Sequence, residues 1–206
     1  MLELYIMRHG KTVWNAAGRI QGATDIELIA EGREMAAETG KIWEQENLTF
    51  DAVYSSPLQR AYETACIVSA YTGLTVQKDE RLREISFGIL EGQGAEWLHD
   101  SERHPQQGFF FTRPELYQRP EGGESLEEVC ARADSFLQDL LRSQKERARV
   151  LIVAHGAMNR ALMTVIKRAE IKDFWEGKLQ KNCAVNIVWT DGVQYEIKEE
   201  GKVFVS

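Results

Sequence analysis

Two short motifs, Arg8-His9-Gly10 near the start of the chain and Ala154-His155-Gly156 far downstream, each close an apolar run of β type. Leu2, Leu4 and Ile6 lead into the first and residues 150–153 into the second, so both histidines are expected where a strand stops. In open α/β sheets ligands bind at that rim. A third run, Ala52-Val53-Tyr54, ends in Ser55-Ser56-Pro57-Leu58-Gln59-Arg60 and places Arg60 one turn into the following helix. Three strands thus deliver Arg8, His9, Arg60 and His155 to one edge of one sheet. The simplest ligand for two guanidiniums, two imidazoles and close-approach glycines is a phosphate.

The stretches between these strands read as helices. Residues 31–45 carry Met35, Ala36, Thr39, Ile42 and Trp43 on one face. A second helix is expected over 57–72, with Ser56 as N-cap, Pro57 at the first helical position and Gly73 as the stop. Residues 74–77 form a short β-like run. Ser125 with Glu128 makes a capping box for a long helix that Leu126, Val129, Ala133, Phe136, Leu137 and Leu140 keep in phase to about Lys145. A strand over 149–154 returns to the sheet, and the helix after His155 carries Ala161, Leu162, Val165 and Ile166. Residues 184–196, around Asp191-Gly192, read as a β-hairpin with a two-residue turn. Strands alternating with helices predict an α/β fold, a three-layer α/β/α sandwich with a mostly parallel central sheet and one antiparallel edge. One domain is expected over 1–206. Residues 92–123 lose the clean period, hold three of the four prolines, and read as a lid-like excursion with short helices that partly covers the rim.

Bulk properties narrow the partners. A net charge of −7 argues against general nucleic-acid binding, since polyanions are held by net basic surfaces. An acidic chain with a locally basic pocket suits a small anionic substrate. Cys66, Cys130 and Cys183 are scattered in apolar stretches without CxxC spacing and read as reduced core or near-core residues. No run approaches the ~20 apolar residues that span a bilayer, and the chain enters strand-like sequence at once without a basic leader. No membrane partner and a cytoplasmic location are therefore expected. Oligomeric state is open, a homodimer included.

Taken together, the segments resemble the histidine phosphatase superfamily, also called phosphoglycerate-mutase-like. The matching stretches are Met7-Arg8-His9-Gly10-Lys11-Thr12-Val13-Trp14-Asn15, Arg19-Ile20-Gln21-Gly22, Ser55-Ser56-Pro57-Leu58-Gln59-Arg60-Ala61, Glu84 within residues 82–88, Gly122-Gly123-Glu124-Ser125, and Val153-Ala154-His155-Gly156. They follow the family's order over nearly the whole chain. The resemblance implies that His9 is the nucleophile that takes the phosphoryl group, that Arg8, Arg60 and His155 hold its oxygens, and that Glu84 is the proton donor. It places Asn15, Gln21, Gly22 and Gly156 around the phosphate or leaving group. It also implies a phosphomonoesterase for small phosphorylated metabolites that needs no cofactor and no metal.

Physical chemistry agrees with those roles. Phosphoryl transfer asks mainly for positioning and positive charge around the equatorial oxygens, which arginine's rigid fork supplies better than lysine. A neutral imidazole is a competent nucleophile near pH 7 and splits one displacement into two. Glu84 poses a conflict, because an acid must hold its proton while nearby arginines favour the carboxylate. A bound phosphate dianion would reverse part of that field.

Plainer uses compete with several assignments. Glu84 could pair with Arg81 or Arg83, Asn15 and Gln21 could merely stabilise their loop, Gly122 to Ser125 could be only a helix entrance, and Trp14 is expected to pack. His99 and His104 lie near Glu96 and Asp100, yet lack the i, i+4 spacing of a metal pair. Lys11 either adds charge near the phosphate or faces water. If Phe109, Phe110 and Phe111 face the pocket they favour an apolar or aromatic leaving group; otherwise they pack the lid. The short chain and Phe87-Gly88-Ile89-Leu90-Glu91-Gly92 point to the phosphatase branch. A cofactor-dependent phosphoglycerate mutase is the alternative, and a non-catalytic phospho-ligand-binding module the remote one.

Overall fold

Alternation in β1 (Leu2–Arg8) explains the layering. Leu4 and Ile6 enter one buried cluster with helices on that side, while Tyr5 and Met7 enter a second cluster on the other. A strand buried on both faces needs helices on both faces, and the computed structural model, which describes residues 1–143, 147–177 and 179–205, has them. The remaining elements are α1 (Val13–Ala16), α2 (Ala30–Gln45), β2 (Ala52–Ser55), α3 (Gln59–Val68), β3 (Val76–Lys78), α4 (Leu126–Ser143), β4 (Arg149–Ala154), α5 (Gly156–Lys167), β5 (Val185–Thr190) and β6 (Tyr195–Lys202). Residues of α4 and α5 fill the first cluster, and residues of α2 and α3 fill the second.

The six strands lie in the order β3-β2-β4-β1-β5-β6. The first four are mutually parallel, and β5 and β6 add antiparallel at one side. Register sets the site, because Arg8 stands opposite Ala154 and Ser55 opposite Val153, so His9, His155 and the start of α3 emerge together.

Several local expectations shift. The second helix begins at Gln59, two residues later than read, with Leu58 extended and no side-chain cap. The Ser56 hydroxyl instead accepts the Leu58 N–H at 3.3 Å, and the Gln59 N–H is taken by Asp25 at 2.7 Å. It ends at Val68, where Ser69 bonds back to the Ala65 carbonyl, and a 3-10 turn (Ala70–Thr72) leads to Gly73 at φ 69°. The short run lies at Val76–Lys78 rather than 74–77. The terminal hairpin forms, but its ladder stops at Thr190 and Tyr195, leaving a four-residue connection that the Asp191 carboxylate closes onto the N–H groups of Val193 and Gln194. The capping box at Ser125 and Glu128 forms in both directions, at 2.8 and 3.2 Å. Helix α4 runs to Ser143, and Lys145 lies outside the described residues. Within 92–123 the short helices are 3-10 turns, Ala95–Leu98 and Pro114–Leu116. Among the described residues no helix is long and apolar enough to cross a membrane.

Candidate active site

Strand β1 delivers Arg8 as its last residue, and the His9 N–H extends the ladder to the Ala154 carbonyl at 3.0 Å. The ring is then fixed by its own turn, since Nδ1 stands 2.7 Å from the Gly10 carbonyl oxygen. A carbonyl only accepts, so Nδ1 carries the proton and Nε2 keeps its lone pair. Burial, followed by the charges of Arg60 and Arg8, holds the His9 imidazole well below its ordinary range. His9 is therefore neutral at pH 7.

His155 stands at the N-cap of α5, its ring 5.2 Å from that of His9 and tilted by 58°. It is fully buried, and neither ring nitrogen has a hydrogen-bond partner among the described residues. Burial, then Arg60 and His9, push its titration far down too.

The two arginines are held by different routes, Arg60 fully buried and Arg8 half-buried. Arg60, fully enclosed in the first turn of α3, donates to the carbonyls of Thr24 and Gly22 at 2.7 Å each, while its Nε is unpaired. Burial lowers it to about 10 against the opposing pull of Glu84 and Asp25, so it stays a cation at neutral pH. Arg8 donates one Nη to the Gln180 carbonyl at 2.5 Å, and its Nε is likewise unpaired. Burial lowers it as well, with Glu84 opposing.

Glu84 occupies the N-terminal end of α5. Its carboxylate accepts the N–H groups of Ala157 at 3.2 Å and Met158 at 3.0 Å, where the helix presents free donors, and that of Ile85 at 3.0 Å. It makes no ion pair with Arg81 or Arg83, whose partners are Asp79, Asp139 and Glu80. Gly156 faces this group, since a Cβ there would stand 3.6 Å from Glu84 Oε2 and 3.8 Å from Arg8 Cζ.

Arg8, His9, Asn15, Gln21, Gly22, Arg60, Glu84 and Gly156 all line one cleft that encloses about 790 Å³ of atom-free space, part of it open to solvent. Of the nine residues assigned to the site from sequence, His155, its ring 5.2 Å from that of His9, is the one absent from these walls. Asn15 and Gln21 do stabilise their loop, with Thr12 Oγ1 at 3.1 and 2.9 Å from their amide oxygens, and still reach the cleft. Four other readings resolve. Gly10 serves packing rather than phosphate approach, because a Cβ there would meet the Gly32 carbonyl oxygen at 2.5 Å. Lys11 is paired with Glu31 at 2.8 Å. Gly122 to Ser125 stay off the cleft and form the entrance to α4. His99 stacks on Phe111 and His104 on Trp97, and among the described residues no group of three or more His, Cys, Asp or Glu could hold a metal ion.

The sequence reading missed the supports. Thr64 takes the Gly10 N–H at 2.9 Å and donates to the Arg60 carbonyl, joining two motifs. Asn182 donates to the His9 carbonyl at 2.9 Å. Gln180 holds Arg8 through its carbonyl and the ends of β1 and β5 through its amide. A signal for the last two existed: an antiparallel strand begins at the rim where its parallel neighbours end, so polar residues just before β5 belong to that rim.

Residues 4–202 match the family model of the histidine phosphatase superfamily, branch 1. The chain belongs to the histidine phosphatase superfamily. Among members of this superfamily, phosphoserine phosphatase 1 of Hydrogenobacter thermophilus is 31% identical over 85% of this chain and 81% of its own length. A probable phosphoglycerate mutase, GpmB, of Enterobacter sp. (strain 638) is 32% identical over 90% and 84%. The solved structure of Bacillus stearothermophilus YhfR superposes with a TM-score of 0.88 at 33% identity, covering 98% of each chain. Histidine phosphatase relatives thus include both phosphatases and mutases.

Proposed function

We propose that this chain is a phosphomonoesterase that hydrolyses small phosphorylated metabolites through a phosphohistidine on His9, without a metal. The observation that carries the reading is the fixed tautomer of His9: a neutral ring with Nε2 free, on the wall of a cleft that the guanidiniums of Arg8 and Arg60 also line. Nε2 attacks phosphorus, the ester P–O bond breaks, and the departing alkoxide takes its proton from Glu84. Water then attacks the phosphohistidine with Glu84 as base, releasing phosphate and the free ring. Arg8, Arg60 and His155 stabilise the equatorial oxygens, and Asn15, Gln21, Gly22 and Gly156 surround them. Glu84→Gln should slow esters with poor leaving groups, and unchanged turnover of such an ester would remove Glu84 from the mechanism.

The test is phosphate release from p-nitrophenyl phosphate in EDTA, comparing the intact chain with His9→Ala between pH 5 and 8. Turnover that survives the chelator and disappears in the variant is expected. Activity retained by His9→Ala would overturn the reading. The mutase relatives raise a second possibility, transfer to a phosphoglycerate acceptor. Such an acceptor brings a carboxylate and a second phosphate, whereas beyond Arg8 and Arg60 the cleft is lined by one further guanidinium, Arg19. This favours water as the acceptor. A mutase would need a bisphosphorylated primer, and its addition should leave this chain's turnover unchanged.

A further inference from the structure

Beyond its phosphate-facing half the cleft changes character. Phe87, Leu98, Phe110, Phe111, Trp175 and Leu179 form a wall drawn from three separated stretches of chain. The rings brace one another: Phe87 on Phe110 at 5.1 Å, Phe110 on Phe111 at 4.8 Å, Phe111 on Trp175 at 4.7 Å, with His99 stacked on Phe111 at 4.4 Å and 12°. Phe110 is 1% exposed and Phe87 6%, so this wall is part of the packed body. A serine or glycerate leaving group has no flat apolar surface to cover it.

One guanidinium besides Arg8 and Arg60 lines the cleft. Arg19 lines the cleft from an exposed position and makes no ion pair or side-chain hydrogen bond among the described residues. Lys11 and Arg33, the nearest basic residues on either side in sequence, are paired with Glu31 and Glu63 and do not line the cleft. An unpaired guanidinium in the same cleft as braced aromatic faces suits a ring that carries negative charge.

Resting on the phosphatase reading, we propose that the substrate is a phosphomonoester whose leaving group is an aromatic ring bearing an anionic substituent, the ring on the Phe111 and Trp175 wall and the anion on Arg19. Four esters test it: ethyl phosphate, phosphoserine, 2-phenylethyl phosphate and 2-(4-carboxyphenyl)ethyl phosphate. All four release a primary alkoxide, so differences in kcat/KM report the acceptor half of the site. The phenyl ester should exceed ethyl phosphate and phosphoserine by about tenfold or more. The carboxylate should add roughly two- to fivefold, the scale of an exposed ion pair. In Arg19→Gln the ratio of the two ring esters should collapse toward one, and in Phe111→Leu the ratio of phenyl to ethyl ester should fall.

Phosphoserine turned over as well as the phenyl ester by the intact chain would overturn the ring assignment while leaving the phosphatase reading standing. A carboxylate gain that survives Arg19→Gln would overturn the placement of the anion. Failure of all four esters and of p-nitrophenyl phosphate would overturn the phosphatase reading and this inference together.

Discussion

Burying two imidazoles and the Arg60 guanidinium, with nitrogens of His155, Arg60 and Arg8 unpaired among the described residues, costs stability, and the site concentrates that cost on His9, His155, Arg8 and Arg60. The histidines make it visible as pH dependence. Both titrate well below their ordinary value in the folded chain, because burial and the arginines oppose a further positive charge. Between the lowered folded value and the unfolded value of about 6.5, the unfolded chain binds more protons, so stability falls as pH falls. The slope is up to about 1.4 kcal/mol per pH unit for each histidine. Asp79 and Asp139, also lowered, contribute only near and below pH 4 and stay out of this window. Urea unfolding of the intact chain should therefore lose stability steadily from pH 6.5 to 5, and inorganic phosphate should flatten the loss by compensating the added charge. A flat profile over that interval would show that the rings protonate without penalty. The same lowering keeps Nε2 unprotonated in mild acid, so kcat/KM should hold below pH 6.5 rather than fall with a free imidazole.

At the scale of elements, the main strands and helices were legible because each is amphipathic at one clear period or buried on both faces. What escaped the sequence was decided by distant partners. The start of α3 moved because Asp25, far away in the chain, takes the Gln59 N–H. Gln180 and Asn182 became supports of the site only because β5 lies beside β1. Residues 92–123 have no period because their order comes from ring stacking, which leaves no repeat in sequence. The entrance to α4 separates a local role from a site role. Ser125 caps the Glu128 N–H, and the residues from Gly122 to Ser125 do not line the cleft. Ser125→Ala should cost about 1 kcal/mol of stability and leave kcat/KM for p-nitrophenyl phosphate unchanged. A fall in kcat/KM without a fall in stability would return these residues to the ligand.

For the molecule as a whole, the candidate catalytic groups come from both layers of helices as well as from the sheet. His9, Arg60 and His155 were readable because β4 lies between β1 and β2 and brings three strand ends to one rim. Glu84 lies on an irregular stretch with no strand to hold it, and its position is borrowed from α4. Arg132 on that helix donates to the carbonyls of Arg81, Arg83 and Glu84 at 2.7, 2.6 and 3.1 Å and is locked by Glu124 at 3.0 Å. One planar guanidinium gathers three carbonyls, which a lysine's single ammonium cannot match. Arg132→Met should free the backbone at Glu84 and weaken the proton donor without touching the phosphate shell. Turnover of ethyl phosphate, whose alkoxide needs a proton to leave, should drop by roughly tenfold to a hundredfold. Turnover of p-nitrophenyl phosphate, whose phenolate leaves unaided, should drop much less, and Arg132→Lys should recover only part of the difference. Arg142→Met, on the same helix but 71% exposed and paired with Asp139, controls for charge removal and should change neither rate. Equal losses on both esters in Arg132→Met would mean that the helix supports the fold in general rather than the acid at Glu84.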